Sequence, residues 1–265
     1  MPEIRDAGAS SKVNLLIYGD PGVGKTTLIG TGGEQFKTLV IRPPFDHVDP
    51  IVGTGVKELV VHDWTEMLDA QEYLRHEGHE WDWVWLDSIS LFQDAGLDDR
   101  FAAAVEKNEH RGQFGPDKVE YRVNMWRLEQ WVRHTVGAEL FNLGITAHPF
   151  WMTIPTTEAP EESIEKLMPW IQGKSMPQKI SGYMNIVGYY EVSGSKEHPD
   201  WRYLYTNANN RYYAKDQFNA LGGKMRNPTI PAIMSAINGN KKVPTRRTAR
   251  RTAPVRRRRT ARRES

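Results

Sequence analysis

The stretch from Val13 to Thr27, VNLLIYGDPGVGKTT, constrains this chain more than any other. The apolar run Val13 to Tyr18 reads as a short buried strand. It leads straight into Gly19-Asp20-Pro21-Gly22-Val23-Gly24-Lys25-Thr26, which satisfies G-x-x-x-x-G-K-[ST] at every fixed position, with Thr27 beginning the helix that follows. Each residue type has a physical reason. Gly19, Gly22 and Gly24 permit turns that a Cβ would block, so that successive backbone N–H groups point inward. The positive end of the following helix faces the same point. Lys25 supplies a mobile charge for β- and γ-phosphates, and the Thr26 hydroxyl can ligate Mg²⁺. A strand before the motif and a helix-forming run after it are the context such a loop requires. The stretch therefore predicts a nucleoside triphosphate site, with ATP and Mg²⁺ as its cofactors.

A second acidic motif supports this. Trp81-Asp-Trp-Val-Trp-Leu-Asp87-Ser88 has Trp81, Trp83 and Trp85 alternating with Val84 and Leu86. Both faces are apolar, as in a central parallel strand covered by helices on both sides. The tryptophans read as core; a base-stacking platform is the rival. Asp87 at the carboxyl end of such a strand, beside a phosphate loop, is placed to hold hydrated Mg²⁺.

Further strands are expected at Lys37–Arg42, Glu58–Val61, Leu140–Ala147, Met184–Val192 and Trp201–Thr206. Helices are expected after the phosphate loop, over Trp64–His76, from about Asp117 to Val136, and near Pro231–Ile237. In the third of these, Tyr121, Met125, Leu128 and Val132 form the apolar stripe, while Glu120, Arg122, Arg127, Glu129 and Arg133 read as solvated. Residues 94–118 read as a helix and a mobile loop, and residues 149–180 as a long irregular segment. Alternating strands and helices predict an α/β fold with a mostly parallel sheet. The ligand site falls at the carboxyl ends of the strands.

The 265 residues carry 35 Lys+Arg and 33 Asp+Glu, but unevenly. Residues 241–265 hold 12 of the cations and one acid, leaving residues 1–240 at 23 cations against 32 acids, net −9. The basic run contains Pro244 and Pro254 and no apolar periodicity, so it is expected to stay disordered. Three parts follow: a flexible N-terminus over 1–11, an ATPase domain over 12–240, and a basic tail over 241–265. Twelve cations suit a phosphate backbone without base readout. An anionic membrane, a localisation signal and a solubilising tail are rivals. No apolar run is long enough to span a membrane. There are no cysteines, which excludes disulfides, Cys-ligated zinc and thiol chemistry. The polar N-terminus lacks a signal-peptide core, so an intracellular, cytoplasmic protein is expected. The His76/His79 pair has neither the H-E-x-x-H order nor a third ligand, and no metal is expected there.

Three features occur together: the phosphate loop, the Asp87-Ser88 strand end, and Thr146-Ala147-His148 closing a strand before a long loop and a β-rich end with Lys215-Asp-Gln-Phe218. Over residues 12–222 the chain resembles the three-layer RecA-like core, and in particular the phage RecA-like ATPases of the single-strand-annealing type. That resemblance implies an ATPase that binds single-stranded DNA, assists recombination by annealing or strand exchange, and assembles as a homo-oligomer. It also implies a single-stranded-DNA-binding protein as a further partner, and the host cytoplasm as location if the gene is a phage's. By the same resemblance His148 occupies the γ-phosphate sensor position. Lys215 matches a lysine that reaches a neighbouring subunit's ATP; its rival reading is an ordinary surface lysine. Gln217 stands where the family has an arginine, with Arg211 a substitute. The family's catalytic glutamate has no motif here; Asp46, Asp49, Asp63 and Glu66 are the candidates. Rival functions are a nucleoside or nucleotide kinase, which would need an Arg-rich lid not found in residues 1–240, and an ATP-switched scaffold without turnover.

Overall fold

The structure, a computed structural model, describes residues 12–47, 49–76, 80–155, 163–194 and 196–241. The expected flexible N-terminus, the acidic cluster at 158–162, His79 and the basic tail from 242 onward lie outside the described residues.

Among the described residues one nine-stranded sheet organises the fold. Its strands are β1 (Asn14–Tyr18), β2 (Thr38–Arg42), β3 (Lys57–Val60), β4 (Trp83–Leu86), β5 (Asn142–Ala147), β8 (Ile186–Val192), β9 (Arg202–Tyr205), β10 (Lys215–Asp216) and β11 (Lys224–Arg226). Their order is β11-β9-β8-β1-β5-β4-β2-β3, with β10 also paired to β8. From β8 to β3 every pairing is parallel. The β9, β10 and β11 pairings are antiparallel. Helices α1 (Lys25–Gly30) and α6 (Ile230–Lys241) cover one face. Helices α2 (Trp64–His76), α3 (Ile89–Lys107), α4 (Lys118–Ala138) and α5 (Met176–Tyr183) cover the other.

Alternation along the strands explains the two cores. Leu16, Tyr18, Val84 and Leu86 pack against Met67, Phe92, Leu128 and Trp131. Leu15, Ile17, Trp83 and Trp85 pack against Leu28, Ile29, Ile233 and Ile237. This is the expected three-layer α/β core. Six-residue α1 is too short to persist alone and is held by burial of Leu28 and Ile29. Trp83 and Trp85 are fully buried and stacked, centroids 5.3 Å apart. They are core and not a base platform. Room for Trp85 comes from Gly144, its partner on β5, where a Cβ would lie 2.2 Å from the indole. Among the described residues no helix is long and apolar enough to cross a membrane.

Two expectations are corrected. The described residues of 149–180 are not irregular: β6 (Pro149–Pro155) and β7 (Ser163–Pro169) pair antiparallel in full register, followed by α5. Prolines at both ends of β6 masked its period of two, in which Phe150, Met152 and Ile154 are half-buried and Trp151, Thr153 and Pro155 exposed. In α4 the charged face is not all solvated. Glu120 and Glu129 are 4% and 5% exposed, whereas Tyr121 is 40% exposed. Glu120 belongs to a capping box with Asp117 and accepts from Arg111 at 2.7 Å. Glu129 accepts from the Tyr183 hydroxyl at 2.6 Å and pairs with Lys179 at 3.0 Å, which ties α4 to α5. Periodicity shows which face is turned inward but not where an inward carboxylate finds a partner.

Gly144→Ala should lower the melting temperature sharply, because the added methyl overlaps a fully buried ring and overpacking costs about 1–3 kcal/mol. Pairing it with Trp85→Leu should recover part of that loss, as thermal unfolding of the single and double variants would show.

Candidate functional site: a phosphate cleft at the sheet's carboxyl edge

Strand β1 ends at Tyr18 and the loop begins where β8 crowds it. A Cβ at Gly19 would sit 2.0 Å from the Tyr190 carbonyl oxygen, so only glycine fits. Gly24 caps α1 with φ of 96°, the left-handed region that glycine adopts without penalty. Between them the Val23 side chain anchors the loop in the core, and its carbonyl accepts from Arg202 Nε at 2.9 Å. Lys25 is 8% exposed, and its Nζ donates to the carbonyls of Gly19 (2.7 Å) and Asp20 (3.1 Å). Burial lowers its pKa, and Asp87, Asp20 and Asp46 pull it partly back.

Asp87 closes the site. Strand β4 is not next to β1, because β5 lies between them. The carboxylate nevertheless reaches the loop: Thr26 Oγ1 donates to Asp87 Oδ2 at 2.8 Å, and Thr146 Oγ1, on the intervening β5, donates to Asp87 Oδ1. Thr146 is the residue that sequence reading missed. Its only signal was a hydroxyl next to the end of a buried strand.

His148 follows two residues later. Its backbone N–H donates to Ser90 Oγ (2.9 Å), and Ser90 Oγ donates to the Trp170 carbonyl (2.9 Å). The Trp170 N–H donates back to the His148 carbonyl (2.7 Å), and the two rings stack at 6.2 Å. Burial, then the nearby Lys25 ammonium, push the imidazole pKa below its usual value against the pull of Asp87. At neutral pH the ring is therefore uncharged.

Together these groups surround a cleft of about 290 Å³ lined by Pro21, Gly22, Gly24, Lys25, Thr26, Thr27, Asp46, Asp87, Ser88 and His148, among others. Of the four candidate carboxylates only Asp46 lines it. Arg42 holds that loop by donating to the carbonyls of Pro43 (3.2 Å) and Asp46 (2.9 Å). Burial first, and then the Asp87 charge, raise the Asp46 pKa. Asp63 instead accepts from the Glu66 N–H, Glu66 accepts from His62, and Asp49 opens a 3₁₀ turn. Lys215 is not brought to this cleft. It pairs with Val187 on β8, and its Nζ lies 3.1 Å from the Ser181 carbonyl and 3.4 Å from that of Gly182. Arg211 lies 3.7 Å from Glu191, also outside the cleft.

The donor set suits a hard cation held partly by phosphate. Among the described residues no cluster of three or more His, Cys, Asp or Glu could hold a metal alone. One carboxylate plus one hydroxyl is what Mg²⁺ uses when nucleotide oxygens complete its shell.

The family model described as AAA domain matches residues 11–218. The chain belongs to the AAA-domain family. As an AAA-domain protein it is a P-loop NTPase that binds ATP. Among solved structures, the RadB recombinase is similar at 13% identity and TM-score 0.42, with 73% of this chain and 79% of that chain covered. A search of the curated proteins found no match.

In this AAA-domain protein Lys25→Ala removes a desolvated cation that belongs to neither apolar core. Its melting temperature should stay at or above wild type, while ATP affinity, read by calorimetry, falls at least tenfold. Wild-type affinity in that variant would remove Lys25 from the site.

Proposed function

We propose that this ATPase binds single-stranded DNA and assists homologous recombination, by annealing or strand exchange, as a cytoplasmic homo-oligomer. One observation carries the reading. The β6–β7 hairpin starts at the residue after His148, and Trp170, just past its end, both stacks on His148 and bonds its carbonyl. A change at the γ-phosphate side of the cleft is thereby transmitted to the hairpin without an intervening linker. The hairpin presents Trp151, 54% exposed, beside a groove of about 710 Å³ that Phe150, Met152, Ile154, Trp170 and Lys174 also line. Exposed aromatic rings with a nearby cation suit unstacked bases. Phe114, 81% exposed, offers a second ring from the 94–118 segment.

Within the cleft, Mg²⁺ would be held by Thr26 and Asp87 and would neutralise charge developing on the β- and γ-oxygens. Thr146 keeps the Asp87 carboxylate aimed at Thr26. Asp46 takes the role of the carboxylate that orients and deprotonates the attacking water, since its raised pKa makes it a better base. His148 reads the γ-phosphate as a neutral donor or acceptor. Lys215 acts on a neighbouring subunit's nucleotide, releasing the Ser181 and Gly182 carbonyls to do so. The kinase reading gains no support, because among the described residues the arginine nearest the loop, Arg202, is engaged by the Val23 carbonyl and none lines the cleft.

The test is nucleotide-dependent DNA binding. Oligonucleotide affinity should differ between ATP and ADP in the wild type. That difference should vanish in His148→Ala with ATP affinity nearly unchanged; a wild-type difference in the variant would contradict the relay.

Asp46→Asn should cut turnover about 10²–10⁴-fold, the usual contribution of a general base. It should also raise stability at neutral pH. The folded-state pKa is raised, so the native state disfavours the charged form, and stability is lost as pH rises through that pKa. The amide lacks this penalty, and its thermal-shift advantage should shrink as pH falls.

The tail reading is tested by salt. If about half of its twelve cations engage single strands, deleting residues 241–265 should flatten the slope of log K against log salt by roughly 4. The effect should be equal for all base sequences. Superimposable plots would take the tail out of DNA binding.

A further inference from the structure

The antiparallel end of the sheet carries a second aromatic surface, separate from the hairpin. On β9, Tyr203 and Tyr205 share one face, and Trp201 just before the strand falls on the same side. The other face of β9 turns Leu204 into the core. Strand β11 places Lys224 opposite Tyr205 and Arg226 opposite Tyr203. Lys224 Nζ lies 3.8 Å from the Tyr203 ring centroid and 5.1 Å from that of Tyr205, and the Arg226 guanidinium lies 4.3 Å from the Trp201 ring. Both cations are exposed, and among the described residues neither has a carboxylate within 4 Å. Across β8, Glu191 lies opposite Tyr203 and Arg211 faces it at 3.7 Å, Asp200 directly precedes Trp201, and the Trp201 face away from Arg226 carries the His198 ring, centroids 4.2 Å apart. In a body that is net −9, Lys224 and Arg226 place two exposed cations side by side over aromatic rings.

We infer that this sheet face, built on Trp201, Tyr203, Lys224 and Arg226, is a second contact surface for single-stranded nucleic acid. The inference rests on the DNA-binding reading above and adds a site to it. The chemistry that fits is a polyanion with flat rings. Bases stack on Tyr203 and Trp201, and the cations that now cover those rings swing to phosphates on either side. Exchanging a cation–π contact for a charge-assisted phosphate contact leaves neither ammonium nor guanidinium unpaired. The tyrosines continue inward. Tyr205 meets Tyr212 (5.3 Å), Tyr212 meets Tyr189 (5.0 Å), and Tyr189 meets Tyr18 (5.4 Å), the last residue before the phosphate loop. On the opposite side of β9, Arg202 holds the Val23 carbonyl of that loop. A strand seated here lies on the element that braces the nucleotide site.

The experiment uses the full-length protein with Mg-ATP, a fluorescent oligothymidylate and a matching abasic phosphodiester strand. Tyr203→Ala should weaken oligothymidylate binding about tenfold, the effect of losing one stacked base. It should leave the abasic strand unaffected, and Tyr203→Phe should restore the affinity. The double variant Lys224→Ala, Arg226→Ala should weaken both ligands and lower the salt slope by about 1.4, two phosphates' worth. If wild type binds oligothymidylate and all variants bind it equally well, the platform is refuted while the DNA reading stands. If wild type does not bind it, the DNA reading fails and this site with it. If the variants instead change the sedimentation of the protein without DNA, the face is a contact between copies of the chain and the inference is overturned.

Discussion

The carboxylate of Asp87 holds the site together. It ends β4, one strand removed from the strand that carries the phosphate loop, and it takes one hydroxyl from each side: Thr26 from the loop and Thr146 from β5. A buried carboxylate left without donors would cost several kcal/mol. Its two threonines make burial at 3% exposure tolerable. The same contacts fix the loop's helix end against the sheet, so the cation site, the loop and the strand carrying His148 share one rigid frame. Lys25, also buried, is held by loop carbonyls and by the field of Asp87, Asp20 and Asp46.

From that frame two structures lead outward. Through Ser90, His148 and Trp170 the cleft is bonded to the hairpin. Through Tyr18 it adjoins a row of tyrosines, with the Tyr18 hydroxyl 2.6 Å from the Tyr213 carbonyl and 3.0 Å from that of Leu167, on β7. Burial raises the Tyr18 pKa far above its usual value, and pushes Tyr189 up to about 12, so both remain neutral hydroxyls. Leu167 also exchanges hydrogen bonds with the 211–213 segment. The hairpin, the antiparallel end of the sheet and the phosphate loop therefore meet around one buried phenol. Adjacency of this kind supplies the route that coupling between ATP and DNA would take.

Much of the core was legible because its signals are local. The phosphate loop is a contiguous motif, and the tryptophan strand announces its burial by having two apolar faces. What stayed hidden depends on partners far away in sequence. Thr146 matters only because Asp87, 59 residues earlier, lies beside it. Asp46 could not be told from Asp49, Asp63 or Glu66 until the chain's path put it alone in the cleft. Glu120 and Glu129 read as solvent-facing because a charge pattern does not reveal Arg111, Lys179 or Tyr183. The hairpin's first strand is hidden in sequence because Pro149 and Pro155 stand at both of its ends and blur its period of two.

In the proposed function the state of the nucleotide and the engagement of single-stranded DNA are one equilibrium, joined at His148 and Trp170. Steady-state ATP hydrolysis with and without saturating single-stranded DNA addresses it most directly. The account predicts that DNA changes the turnover of the wild type, and that Trp170→Ala keeps the basal rate but loses the response. A basal rate indifferent to DNA, or a response that survives without the Trp170 ring, would contradict it.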